Sequence, residues 1–210
     1  AAALGSLMAT PVQAAPARAP AEQGCSAIVT VTNNADSGPG SLRQALADVC
    51  AGGMVDFDAT LAGATISLTS AQLTLDKNVT ITGTVPITLS GNNAVRVLYV
   101  TPGANVTLSS LTLTQGNPGP GESGGAVNNY GTLVVATSSL TGSTAEGGGG
   151  VYNDTSAILT MMGSRISGNT STTAGGGIAN FGALTVTNST IDTNQAATTG
   201  GGVINAKEMT

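Results

Sequence analysis

Short runs of alternating apolar and polar residues return along most of this chain at a nearly constant interval. The segments Val79-Thr80-Ile81, Val106-Thr107-Leu108, Leu133-Val134-Val135, Leu159-Thr160-Met161 and Leu184-Thr185-Val186 follow one another at a spacing of roughly 26 residues, the period of a stacked repeat. The outer residues of each triplet are apolar, the pattern of a strand that buries every second side chain. A further apolar residue lies five positions beyond the last four triplets, at Leu113, Leu140, Ile166 and Ile191. Glycines open a third strand in each repeat: Gly124-Gly125-Ala126-Val127, Gly149-Gly150-Val151, Gly176-Gly177-Ile178 and Gly201-Gly202-Val203, whose inward Val127, Val151, Ile178 and Val203 keep nearly the same interval. Two residues after each inward position stands an asparagine: Asn129, Asn153, Asn180 and Asn205.

Each repeat therefore holds three short strands separated by corners rich in Gly, Asn and Ser, residues that accept positive φ or bond their own backbone. One such turn buries too little apolar surface to offset the entropy of ordering itself. Successive turns must stack, ~4.8 Å apart, each strand pairing with its equivalent above and below. Two inward columns follow, Val79-Val106-Leu133-Leu159-Leu184 and Ile81-Leu108-Val135-Met161-Val186. The expected fold is all-β, a parallel β-helix with a short N-terminal capping helix. The Asn129, Asn153, Asn180 and Asn205 column is expected at a corner, where stacked amides bond one another and the backbone in a structural role.

Asp36-Ser37-Gly38-Pro39-Gly40 reads as a turn, and Ser41 as the N-cap of a helix with Leu42, Ala45, Leu46 and Val49 on one apolar face. Gly52-Gly53 is the expected stop. Such a helix covers the open hydrophobic end of the coil. At the other end Val203-Ile204-Asn205 begins another rung, and Met209 follows Val203 by six residues as Leu184 follows Ile178. That predicts a piece of a longer protein, stopping in mid-rung. The expected organisation is a signal-peptide remnant and linker over 1–24, a capping strand and helix over 25–53, and the β-helix over 54–210.

Composition narrows the classes. The 210 residues are 40% hydrophobic with a net charge of −5, which excludes a disordered chain. Six Lys+Arg against eleven Asp+Glu leave no basic stripe, so nucleic acid is not an expected partner. The opening AAALGSLMATPVQAAPARAPA is small, apolar and proline-punctuated, and Val12-Gln13-Ala14 fits a signal-peptidase site. A flexible Ala/Pro linker reads similarly. Pro11 interrupts the run well short of the ~20 apolar residues of a membrane-spanning helix. The expectation is a secreted or cell-surface bacterial protein with no transmembrane segment in this stretch. Cys25 and Cys50 lack the local partners of a zinc site. In an exported chain they predict a disulfide joining a first strand, 26–32, to the end of the helix, two buried thiols being the alternative.

The segments GGGIANFGALTVTNSTIDTN (Gly175 to Asn194) and GGGVYND (Gly148 to Asp154) resemble the GGxI and FxxN repeats of polymorphic outer-membrane proteins, with Ile191 and Ile166 in the Phe place. Leu140 departs from the pattern, being followed by Ser143 where Asn would fall. ADSGPGSLRQALADVC (Ala35 to Cys50) is similar to an N-terminal segment of secreted bacterial right-handed parallel β-helix proteins of the pectin-lyase-like superfamily. The resemblance spans about residues 28 to 208. It implies right-handed coiling, and polysaccharide lyase or glycoside hydrolase activity as one alternative.

The residue inventory favours a noncatalytic reading, with no catalytic residue and no cofactor assigned. The chain has no His, and its acids are scattered over Asp36, Asp48, Asp56, Asp58, Asp76, Asp154 and Asp192. Hydrolysis of a glycoside takes two carboxyls within ~5 to 9.5 Å. Asp56 and Asp58 alternate with Val55 and Phe57, share an outer face, and form a weak Ca²⁺ candidate against simple solvation. A lyase would use a base and a cation, but Arg43, Lys77, Arg96 and Arg165 fall on different segments, Arg165 nearest the repeat face. Outward threonines form the columns Thr80-Thr107-Val134-Thr160-Thr185 and Thr82-Ser109-Ala136-Met162-Thr187, a grid that suggests ice binding, broken at Ala136 and Met162. Tyr130, Tyr152 and Phe181 flank the Asn column as candidate glycan-stacking rings, or as covers for the rung edges. These features point to a structural, adhesive or glycan-contacting scaffold. The expected form is a monomeric rod whose partner is extracellular polysaccharide or a host or neighbouring surface.

Overall fold

The structure is a computed structural model in which residues 24–206 are described. Residues 1–23 of the expected signal remnant and linker, and Met209, lie outside the described residues. The chain winds into a parallel β-solenoid of about 7 turns with about 5% helix. An eleven-stranded sheet, a six-stranded sheet and a three-stranded sheet line its sides.

The repeat spacing becomes hydrogen-bonded register. Val79, Val106, Leu133, Leu159 and Leu184 are successive strand partners, as are Ile81, Leu108, Val135, Met161 and Val186. Beyond a bend, Ile66, Leu89, Leu113, Leu140, Ile166 and Ile191 form a third inward column. On the six-stranded side Leu73, Leu98, Val127, Val151, Ile178 and Val203 form a fourth. Through the middle rungs these residues are buried, and together they make one continuous core. Stacking of like side chains is what makes such short turns self-supporting.

The helix Leu42–Asp48 buries Leu42, Ala45 and Leu46, and the Ser41 side chain accepts from the Gln44 N–H. It ends earlier than the expected Gly52-Gly53 stop. Val49 is already extended, with φ −72° and ψ 139°, and opens the strand Val49–Phe57. Val49 pairs with Ser26 of the first strand, Ser26–Val31, so sheet pairing ends the helix. Gly53 lies inside that strand, where a Cβ would stand 2.6 Å from the Ala27 carbonyl oxygen. Cys25 and Cys50 form a disulfide, which anchors in the strand after the helix. The Val49–Phe57 strand pairs onward with Val79–Ser90, joining the capping segment to the long sheet.

Candidate functional site

Three polar ladders run along the solenoid at its corners. In the first, Asn129 Nδ2 donates to Asn153 Oδ1 at 2.7 Å, Asn153 Nδ2 to Asn180 Oδ1 at 2.6 Å, and Asn180 Nδ2 to Asn205 Oδ1 at 2.7 Å. The second amide proton goes to the carbonyl of Ile158, Ala183 or Gly182. Asn129, Asn153 and Asn180 are completely buried and continue a column that begins with Leu75 and Val100. A row of amides thus replaces aliphatic side chains inside the core, each satisfied by its neighbours.

The second ladder contains the departure from the FxxN pattern. Asn169 Nδ2 donates to Asn194 Oδ1, the Ser143 N–H donates to Asn169 Oδ1, and the Gly116 N–H donates to Ser143 Oγ. Ser143 therefore takes the asparagine's place as acceptor. The third ladder was not anticipated: the backbone N–H of Leu111, Ser138 and Ser164 donates in turn to the hydroxyl of Ser138, Ser164 and Ser189. Its sequence signal is a serine two residues after each outward column residue Ala136, Met162 and Thr187.

Outside the six-stranded sheet the rings of Tyr99, Tyr130, Tyr152 and Phe181 form one strip, with successive centroids 5.5, 6.4 and 5.4 Å apart. Tyr99 was missed because its rung lacks the Gly-Gly and Asn signals that mark the later repeats. The rings are half-buried and alternate between two positions: Tyr99 and Tyr152 point outward from strands, while Tyr130 and Phe181 directly follow the ladder asparagines. Burial, then the Asp154 and Tyr130 charges, push the Tyr152 hydroxyl above its ordinary pKa. Asn128 lies between Tyr99 and Tyr152 in register and is 5% exposed, its Oδ1 lacking a hydrogen-bond donor.

Three arginines are committed to separate contacts. Arg96 is buried; it bonds Gln72, Glu122 and the Ser123 and Gly124 carbonyls and lies over the Tyr99 ring. Arg43 pairs with Asp36 at 2.6 Å. Burial works to raise the Asp36 carboxyl, but hydrogen bonds from Ser70 and Arg43 and the Arg43 charge outweigh it and hold the group well below the usual carboxylate range. Arg165 pairs with Asp192 through Nε and Nη2 at 3.2 and 2.8 Å. Lys77 donates to the Ala47 and Val49 carbonyls beside the helix end.

Asp58 caps a single 3-10 turn, accepting from the N–H and hydroxyl of Thr60, and those bonds lower its pKa. Asp56 lies between Val55 and Phe57, with Oδ1 buried and unpartnered. Among the described residues no third acid, His or Cys converges on this pair. The outward threonine columns stand in register as read, interrupted at Val134, Ala136 and Met162, and Met162 is exposed. Along the bend of the long sheet a groove of about 630 Å³ crosses successive rungs, lined by Ser, Thr and Gly, by the apolar Val85, Pro86, Ile87 and Leu111, and by Asn188 and Arg165. Comparison with family models, with curated proteins and with solved structures returned no match.

Proposed function

We propose that this chain is a noncatalytic repeat scaffold of an exported protein, a right-handed β-helix of the pectin-lyase-like kind. It acts as a monomeric structural or adhesive rod that contacts extracellular polysaccharide or a neighbouring surface. The observation that carries this reading is where the ionisable groups go. Asp36 with Arg43, Asp192 with Arg165, Asp58 and Arg96 are each bound into local structural contacts. The features that run unbroken from rung to rung are neutral: amide and hydroxyl ladders and a strip of rings. The disulfide supports an oxidising compartment. Contacts made by neutral faces depend weakly on salt.

Incubation of the purified protein with a panel of soluble polysaccharides tests this directly. The expected result is retention without new chain ends. Release of reducing or unsaturated ends would transfer the chain to the lyase and hydrolase alternative.

A further inference from the structure

The aromatic strip carries a cation at one end and none at the other. Around Tyr99 the arrangement is complete: the Arg96 guanidinium carbon lies 5.9 Å from the ring centroid, and Glu122 bonds the same guanidinium at 3.2 Å. Two rungs along, Tyr152 stands in the same outward register position, with Asn128 between the two. Asp154 supplies the acid here, close enough for its charge to act on the Tyr152 hydroxyl. Its side chain accepts from Thr155 and Ser156, which are both uncharged. Among the described residues no Lys or Arg pairs with Asp154 or lies over the Tyr152 or Phe181 ring.

The chemistry of this second end selects what it takes. An anion is opposed by Asp154 and by the chain's net charge of −5. A flat neutral ligand spanning several rings needs a coplanar platform, whereas successive ring planes are tilted by 40°, 42° and 37°. A cation is attracted to each ring face whatever the mutual tilt. The buried Asn128 Oδ1, which has no hydrogen-bond donor, adds an uncompensated negative dipole end to the same patch. Among cations a guanidinium uses the site most fully, because its plane stacks on a ring while its N–H fork reaches a carboxylate. Those are the partners that Arg96 has in Tyr99 and Glu122.

We propose that Tyr152 and Asp154 form a docking site for an arginine side chain of a partner protein, the guanidinium lying over the Tyr152 ring and bonding the Asp154 carboxylate. The inference goes beyond the scaffold reading, which stands or falls on polysaccharide turnover instead. The chain has three Tyr and no Trp, and all three tyrosines belong to the strip, so tyrosine emission reports on it alone. Titration at low salt with a blocked glycyl-arginyl-glycine peptide, and with its lysine and citrulline counterparts, tests the site. The arginine peptide gives a saturable change in emission, the lysine peptide binds several-fold more weakly, and the neutral citrulline peptide gives no change. Tyr152→Leu and Asp154→Asn each weaken the arginine response about tenfold, equivalent to ~1.4 kcal/mol, with Tyr130 still reporting. Asp48→Asn removes the same charge from the exposed end of the capping helix and leaves the response unchanged. Native circular dichroism confirms the fold of each variant, and Asp154→Asn keeps an acceptor for Thr155 and Ser156 should Tyr152→Leu fail to fold. Equal weakening in Asp154→Asn and Asp48→Asn would reduce the effect to net charge and overturn the site. So would an equal response to the citrulline or lysine peptide, an undiminished response in a folded Tyr152→Leu, or no response in the parent chain.

Discussion

Replacing Asn153 by alanine tests whether the buried amide ladder holds the rungs together. The side chain is completely buried, accepts from Asn129 Nδ2 at 2.7 Å, and donates to Asn180 Oδ1 at 2.6 Å and the Ala183 carbonyl at 3.1 Å. Truncation leaves one donor and two acceptors without these partners. Asn129 Nδ2 keeps a second bond to the Ile158 carbonyl, which softens its loss. At about 1–3 kcal/mol for each buried group left unmatched, the expected cost is about 3–6 kcal/mol, after allowing for that remaining bond. Asn205→Ala is the internal control. Asn205 is exposed, and its loss removes one acceptor from Asn180, which still donates to the Gly182 carbonyl. That variant costs about 1 kcal/mol or less. Equilibrium urea unfolding reads the difference. With a slope of about 2 kcal/mol/M, Asn153→Ala lowers the midpoint by about 2 M and Asn205→Ala by under about 0.5 M. Equal shifts for the two variants would show that the ladder follows the stack without supporting it.

Gly176 packs so closely that a Cβ would stand 2.2 Å from the Gln195 oxygen and 2.4 Å from the Gly201 oxygen. Gly176→Ala therefore costs about 2 kcal/mol or more in thermal or urea unfolding, whereas Gly147→Ala, whose nearest neighbour is the Ser123 hydroxyl at 3.3 Å, has little effect. Reduction of Cys25–Cys50, which closes a loop of 25 residues, removes about 3.5 kcal/mol by the chain-entropy estimate. Hydrogen exchange after reduction rises first in the edge strand Ser26–Val31. Because Asp36 has a folded pKa below its unfolded value, its contribution is present above pH ~4 and is lost as pH falls toward the depressed folded value. Stability measured through that acid window falls less steeply in Asp36→Asn than in the parent chain.

Sequence alone determined the parts of this protein that are local and repeated. An apolar residue at every second position, in a triplet that returns after roughly 26 residues, states strand, spacing and column at once. Each column read that way stands in the observed register. The disulfide was legible from two cysteines in an export-like context, and the capping helix from Ser41 and its apolar face. The helix end was not, because Val49 leaves the helix to pair with Ser26, a partner on the strand that precedes the helix in the chain.

Tertiary structure decided what depends on which residues become neighbours across rungs whose loops differ in length. Tyr99 joins the aromatic strip from a rung without the Gly-Gly and Asn signals, and Arg96 is buried only because the segment carrying Glu122 and Ser123 folds over it. Ser138, Ser164 and Ser189 look like ordinary corner residues until stacking aligns each hydroxyl with the backbone of the rung before it. The groove needs both the repeat and its interruption, since one wall is a regular column and the other is the register shift after Thr82. Inward positions are legible one turn at a time because burial constrains every turn alike. Outward side chains acquire a meaning only from the neighbours that stacking gives them.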